Sequence, residues 1–352
     1  MKTLRELRHE INAINQDLLT TLSRRAEVVL KIYQIRRKMG VNLFVPERES
    51  EMLQEITALN QGPFPDSTIK SLFKEIFRAS LNLMEEEARQ VLLSSRQHQE
   101  DNTVISVGGI KIGGSSPVIM AGPCSIESWE QMETIAAWLS HIGIPVMRGG
   151  AFKPRTSPYS FQGLHERGLK YIRDACRRYG LACITEIVDP RHLDLMVEYA
   201  DILQIGARNM DNFELLKAVG KVKKPVMLKR GYMSTLEEYI YAVEYILSGG
   251  NKEVILCERG IRTFERWTRN TLDISAVPLL KQETHLPVIV DISHSTGRKD
   301  IAVPLARAAL AAGADGLMVE VHNHPEVARS DEKQQLGLKE FENFFNNLSD
   351  LF

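Results

Sequence analysis

The chain has 352 residues, more than one ordinary core usually holds, so two domains or one decorated barrel are the natural expectations. Apolar residues make up 43% and charged residues 25%, with no apolar run long enough for a bilayer and no secretory signal at the start, which predicts a soluble, cytoplasmic protein with no membrane partner. Formal charge is -1, with lysines and arginines scattered, so nothing favours nucleic acid; the four cysteines, Cys124, Cys176, Cys183 and Cys257, lack C-x-x-C spacing and fit neither a disulfide framework nor a zinc finger.

Apolar residues recur at three- and four-residue spacing from Leu4 through Leu18 and Val29 to Met39, which predicts one long amphipathic helix ending at Gly40. A second helical pattern runs from Pro46 to Leu59 and stops at the breakers Asn60-Gln61-Gly62-Pro63. A third starts near Asp66, with Ile69, Phe73, Ile76 and Phe77 on its apolar face. Residues 1–87 thus read as a small all-α three-helix domain, and the polar stretch 88–103 as a linker.

The period changes in the region 104–352. Residues 104–107 and 110–112 flank Gly108-Gly109, a hairpin signal. Eight short apolar runs follow between helical stretches: Pro117–Ala121, Pro145–Arg148, Ala182–Glu186, Ile202–Ile205, Pro225–Lys229, Glu253–Cys257, Pro287–Asp291 and Gly316–Glu320. Eight β/α units predict an α/β TIM (β/α)8 barrel, with an open doubly wound sheet as the competitor.

The active face of such a barrel is the C-terminal end of its strands, and these runs end in polar residues. Arg148, Lys153, Arg155, Arg208, Lys229 and Arg259 would repel one another there unless anions lay among them, so the face suits phosphates and a carboxylate. Cys124, His294, Glu320 and Asp331 add a thiolate, an imidazole and two carboxylates, a mixture that suits Mn²⁺, Fe²⁺, Co²⁺ or Zn²⁺.

The motifs Gly122-Pro123-Cys124-Ser125, Arg148 to Pro158, Gly206-Ala207-Arg208-Asn209, Leu228-Lys229-Arg230-Gly231, Cys257-Glu258-Arg259-Gly260 and Asp291-Ile292-Ser293-His294-Ser295 span the whole second region. They resemble the 3-deoxy-D-arabino-heptulosonate-7-phosphate (DAHP) synthase family, in its shorter class fused to chorismate mutase. The resemblance implies condensation of phosphoenolpyruvate with erythrose 4-phosphate. It assigns one divalent metal, Mn²⁺ foremost, to Cys124, His294, Glu320 and Asp331. Phosphoenolpyruvate falls to Arg148, Lys153, Glu186, Ala207, Arg208, Lys229 and Arg259, erythrose 4-phosphate to Lys153, Pro154, Arg155 and Thr156, and the catalytic roles to Lys153, His294 and Cys124. An octulosonate-phosphate synthase, which takes a pentose phosphate, is the nearest rival.

Residues 1–87 resemble the all-helical chorismate mutase class. Arg25 and Arg36 lie eleven residues apart, about 20° around a helix, and share a side. Arg8 lies seventeen residues before Arg25, roughly 25 Å away on another face, so it reaches a shared ligand only from a partner chain. Arg48 and Glu49 would complete a pocket for prephenate or chorismate in a homo-oligomer, a dimer or tetramer. Three positions depart from the mutase pattern: Arg36 replaces a lysine, Val45 an aspartate, and Met84 the Gln or Glu that faces the ether oxygen. Ligand binding with weak catalysis, an allosteric sensor, is the expectation, against a ligand-free dimerisation module.

Overall fold

The computed structural model describes residues 2–39, 46–89, 92–154, 157 and 159–351. The chain divides into two units, 1–92 and 93–352. The first is helical, with α1 (Leu4–Met39), α2 (Pro46–Ala58) and α3 (Asp66–Arg89). Tyr33 and Phe77 are its buried aromatics, whereas Leu7, Ile11, Ile14 and Leu18 leave an apolar stripe of α1 exposed. The segment expected to link the domains divides. Helix α3 runs on to Arg89, and from Leu93 the chain is bonded into the second unit, the Leu93 and Ser94 amides donating to the Glu244 carboxylate at 2.9 and 2.8 Å.

The second unit opens with a hairpin, β1 (Ile105–Val107) and β2 (Ile110–Ile112), turning at Gly108 and Gly109, both at positive φ. Eight parallel strands follow: β3 (Val118–Gly122), β4 (Val146–Arg148), β5 (Ala182–Ile187), β6 (Ile202–Ile205), β7 (Val226–Lys229), β8 (Val254–Glu258), β9 (Val288–Asp291) and β10 (Gly316–His322). Each pairs with the next, and β10 also pairs with β3, which closes the sheet into the expected barrel and excludes the open one. A two-residue strand, β11 (Leu336–Gly337), adds to the far end of β10. Between and after the strands lie α4 (Trp129–His141), α5 (His165–Tyr179), α6 (Leu193–Tyr199), α7 (Phe213–Val219), α8 (Leu236–Leu247), α9 (Ala276–Glu283), α10 (Ile292–Thr296), α11 (Ala302–Ala311) and α12 (Leu338–Asn346).

Two apolar layers hold this together. The larger lies between strands and helices, from Ile119, Met147 and Leu203 on the sheet to Ile135, Leu169 and Ile246 on the helices. The smaller fills the barrel, where Met120, Val146, Ile184, Ile202, Met227, Ile255, Ile289 and Met318 pack with Ile105, Val107 and Ile112 of the hairpin. Side chains alternate across a strand with period two. Stepping two residues toward the C-terminal ends from Val146, Ile184, Ile202, Met227, Ile289 and Met318 therefore reaches Arg148, Glu186, Gln204, Lys229, Asp291 and Glu320. The hairpin packs with the apolar layer, leaving the polar one to face the mouth.

Candidate active site

A cavity of about 360 Å³ opens at this polar layer. Arg148, Lys153, Pro154, Glu186, Ala207, Arg208, Lys229, Arg259, His294 and Asp331 line it, with Gln204, Tyr232 and Arg269. Arg155 and Thr156 lie outside the described residues. Two glycines make the layer possible. At Gly122, φ is 148° and a Cβ would sit 2.1 Å from the Arg148 carbonyl oxygen, so only glycine lets β3 end so close to β4. At Gly206 a Cβ would stand 2.0 Å from Glu186 Oε1, so the missing side chain is the space the glutamate occupies.

Cys124, His294, Glu320 and Asp331 converge at one side of the cavity, with one ligand atom from each, all within 4.8 Å of one another. Cys124 Sγ lies 3.3 Å from Asp331 Oδ2, and His294 Nε2 lies 3.3 Å from Glu320 Oε1 and 3.8 Å from Asp331 Oδ2. Cys124 and Glu320 are fully buried. Burial and the neighbouring Glu320 charge push the Cys124 thiol up to about 12. Burial also works against the carboxylates, but the His294 and Arg148 charges hold Glu320 below its ordinary value, and those of His294 and Arg269 do the same for Asp331. A buried sulfur and two ionised carboxylates packed this tightly are the donor set a divalent cation would neutralise, and the site fits one.

Three of these four donors are held from behind. Asp291 ends β9 and caps α10, accepting from the His294 amide at 2.9 Å and facing His294 Nδ1 at 2.8 Å, which leaves Nε2 toward the cluster. The same carboxylate pairs with the Lys229 ammonium. Asp331 sits at a φ of 50°, a left-handed turn that aspartate tolerates better than most residues. Its loop is tied to the Cys124 loop by Ser125 and Ser330 hydroxyls 2.8 Å apart and by Gln335, which accepts from the Cys124 amide at 2.9 Å.

The cations are placed individually. Arg148 donates to Glu320 Oε1 at 3.1 Å and to the Pro123 carbonyl at 2.6 Å, leaving its buried Nε without an acceptor among the described residues. Lys153 Nζ lies 3.2 Å from Cys124 Sγ; burial opposes its charge, but Cys124 and Glu186 hold its pKa above the ordinary lysine value. Arg259 donates to the His294 carbonyl at 3.1 Å with its guanidinium over Tyr232. Arg208 is exposed at the rim. Arg230, beside Lys229, has the opposite parity and pairs with Glu258 at 3.0 Å and Asp273 at 2.8 Å, away from the mouth. Asp291, Arg269, Gln334 and Gln335 were given no role by sequence reasoning.

In the helical unit a second cavity, about 470 Å³, is lined by Arg25, Arg36, Arg48 and Glu49 with Met52, Phe77, Ser80 and Met84. Arg25 donates to Ser80 Oγ at 2.5 Å and stacks over Phe77, and burial lowers its pKa. Arg8 is exposed and does not line this cavity. Val45 lies outside the described residues.

Residues 93–352 match the model described as the DAHP synthetase I family, and residues 7–85 that described as chorismate mutase type II. The phospho-2-dehydro-3-deoxyheptonate aldolase of Thermotoga maritima is 54% identical over 259 residues, 74% of this chain and 77% of that one. The 2-dehydro-3-deoxyphosphooctonate aldolase of Koribacter versatilis is 32% identical over 255 residues, 66% of this chain and 90% of that one. A crystal structure of the Thermotoga maritima DAHP synthase superposes with a TM-score of 0.72 at 53% identity, covering 74% of this chain and 76% of that one.

Proposed function

The chain belongs to the DAHP synthetase I family, with a chorismate mutase type II domain ahead of its barrel, and we propose that it joins phosphoenolpyruvate to erythrose 4-phosphate, with water, giving DAHP and phosphate. The observation that carries this is the four-donor cluster beside a cation-lined cavity, with Lys153 Nζ 3.2 Å from the Cys124 sulfur. Cys124, His294, Glu320 and Asp331 hold one divalent ion, Mn²⁺ in our reading with Fe²⁺, Co²⁺ or Zn²⁺ as alternatives, which when bound supplies Lewis-acid polarisation of the aldehyde.

Arg148, Lys229 and Arg259 take the carboxylate and phosphate of phosphoenolpyruvate by charge-assisted hydrogen bonds, with Arg208 at the rim. Pro154, Arg155 and Thr156 serve the phosphate end of the four-carbon sugar. C3 of phosphoenolpyruvate attacks the aldehyde carbon, and Lys153 Nζ delivers a proton to the new alkoxide. Water adds at C2, and the arginines retain the phosphate as its C–O bond breaks. The likeness to octulosonate aldolases supports a second reading with a five-carbon acceptor. Phosphate release with erythrose 4-phosphate against arabinose 5-phosphate, with and without chelator, tests both; faster turnover of the pentose phosphate would overturn the first.

The helical domain binds prephenate or chorismate and regulates the barrel as a sensor, with weak mutase activity. Its support is the cavity that gathers Arg25, Arg36, Arg48 and Glu49 around Met84, whose thioether has no hydrogen to donate. Arg8 enters that cavity from a partner chain. The exposed apolar stripe Leu7, Ile11, Ile14 and Leu18 supports such a dimer, within a dimer or tetramer. No described helix is long and apolar enough to cross a membrane. Calorimetric titration of the full chain with prephenate tests the sensor, and no heat of binding would remove it.

A further inference from the structure

Gln334 is buried three residues beyond Asp331, and its backbone N–H donates to the Asp331 carbonyl at 3.2 Å. Its side-chain amide spans the two carboxylates of the cluster. Nε2 donates to Glu320 Oε2 at 2.5 Å, and Oε1 accepts from Arg269 Nη1 at 2.7 Å. That same Nη1 donates to Asp331 Oδ1 at 3.1 Å. The amide has one orientation that fits, because a guanidinium only donates and an ionised carboxylate only accepts. Gly297 packs against the pair, where a Cβ would sit 2.8 Å from Arg269 Cβ.

The consequence falls on Glu320. With Oε2 committed to Gln334, Oε1 is the oxygen presented to His294 Nε2 at 3.3 Å, and Arg148 donates to that same oxygen at 3.1 Å. We propose that Gln334 is a positioning residue for the metal centre: it fixes the Glu320 carboxylate by donation and, through Arg269, ties Asp331 into the same arrangement, so that it sets metal affinity. The inference rests on the metal reading above. Gln334 itself touches no reacting group. Hydrogen-bond partners standing behind metal ligands are typically worth about 10–100-fold in affinity or activity.

The test is a Co²⁺ titration of the metal-stripped full chain, followed by the sulfur-to-cobalt absorption band that Cys124 would give. Gln334→Met keeps the length and removes both bonds; Gln334→Glu keeps an acceptor for Arg269 but has no hydrogen for Glu320, and serves as well should the Met variant not fold. We expect both to weaken Co²⁺ binding about 10–100-fold, with the melting temperature of the metal-free protein near that of the wild type. Wild-type affinity in the Met variant overturns the proposal. So does wild-type affinity in the Glu variant, since Arg269 alone would then suffice. Absence of the band in the wild type defeats the metal reading instead, and the inference with it.

Discussion

Asp291 grips His294 at two points, Oδ1 accepting from its backbone amide at 2.9 Å and Oδ2 lying 2.8 Å from its Nδ1. One carboxylate thereby fixes both the turn and the ring. Burial opposes the Asp291 charge, but His294 and the paired Lys229 outweigh it and hold the group well below the usual carboxylate range. Asp291→Asn removes that charge and lets the ring turn over to its other tautomer. We expect kcat/KM to fall about 10–100-fold. Steady-state phosphate release checks it, and unchanged kinetics would show that the ring orientation has another source.

Gly206→Ala is the sharper test of the cavity wall. The added Cβ would need the space of Glu186 Oε1, 2.0 Å away, and the side chain must swing out of the cavity. Displacing one well-oriented polar group at an active site commonly costs on the order of 100-fold. We therefore expect kcat/KM to fall by at least about tenfold with little change in melting temperature. A variant with wild-type kinetics would mean that Glu186 has no part in binding.

How much of this was legible in the sequence varies with the physics behind each element. The strands were, because a parallel sheet covered on both faces leaves short apolar runs, and all eight barrel strands begin within one residue of the run that announced them. Closure needed the strand count. Lys229 and Arg230 show where reading stops: Lys229 ends β7 and Arg230 follows it directly, and only the period-two alternation from Met227 turns Lys229 inward and leaves Arg230 to Glu258 and Asp273. Arg269, Gln334 and Gln335 lie in loops, where no period exists, and the partners that matter are distant: Gln334 reaches Glu320 across 14 residues and Gln335 reaches Cys124 across 211. The hairpin was visible at Gly108-Gly109, but its packing against the barrel interior is a tertiary fact without a local signal.

Lys229 and Arg208 should fail differently when cut to alanine. Arg208 is exposed, and its removal takes away a charge-assisted contact worth about 2–3 kcal/mol, or roughly 30–150-fold in kcat/KM, with folding intact. Lys229 is buried in its pair with Asp291, and breaking such a pair typically costs about 3–5 kcal/mol of stability. Kinetics with thermal melts separate them. Equal melting temperatures for Lys229→Ala and the wild type would contradict the buried pair.

The last prediction concerns the helical unit. If its cavity of Arg25, Arg36, Arg48 and Glu49 senses prephenate, the inhibition must be lost with the unit while the chemistry stays. The place to cut is after residue 92, where the first unit ends, because Leu93 and Ser94 are bonded to Glu244 and belong to the barrel. Deleting 1–92 should leave a synthase with kcat/KM within a few-fold of the full chain and no response to prephenate. In the full chain, Arg25→Ala should weaken prephenate binding by one charge-assisted contact, about 2–3 kcal/mol or roughly 30–150-fold, and shift inhibition by the same factor. The two factors must agree because binding and inhibition read occupancy of the same site, the effector shifting the barrel only by its differential affinity for the two states. Met84→Gln tests the other half, since a side-chain amide can donate to the ether oxygen where the thioether has nothing to give. A gain in chorismate turnover of roughly two to three decades is expected from restoring one transition-state contact of about 3–4 kcal/mol. Inhibition of the truncated barrel by prephenate would place the effector site elsewhere and remove the sensor from the helical domain.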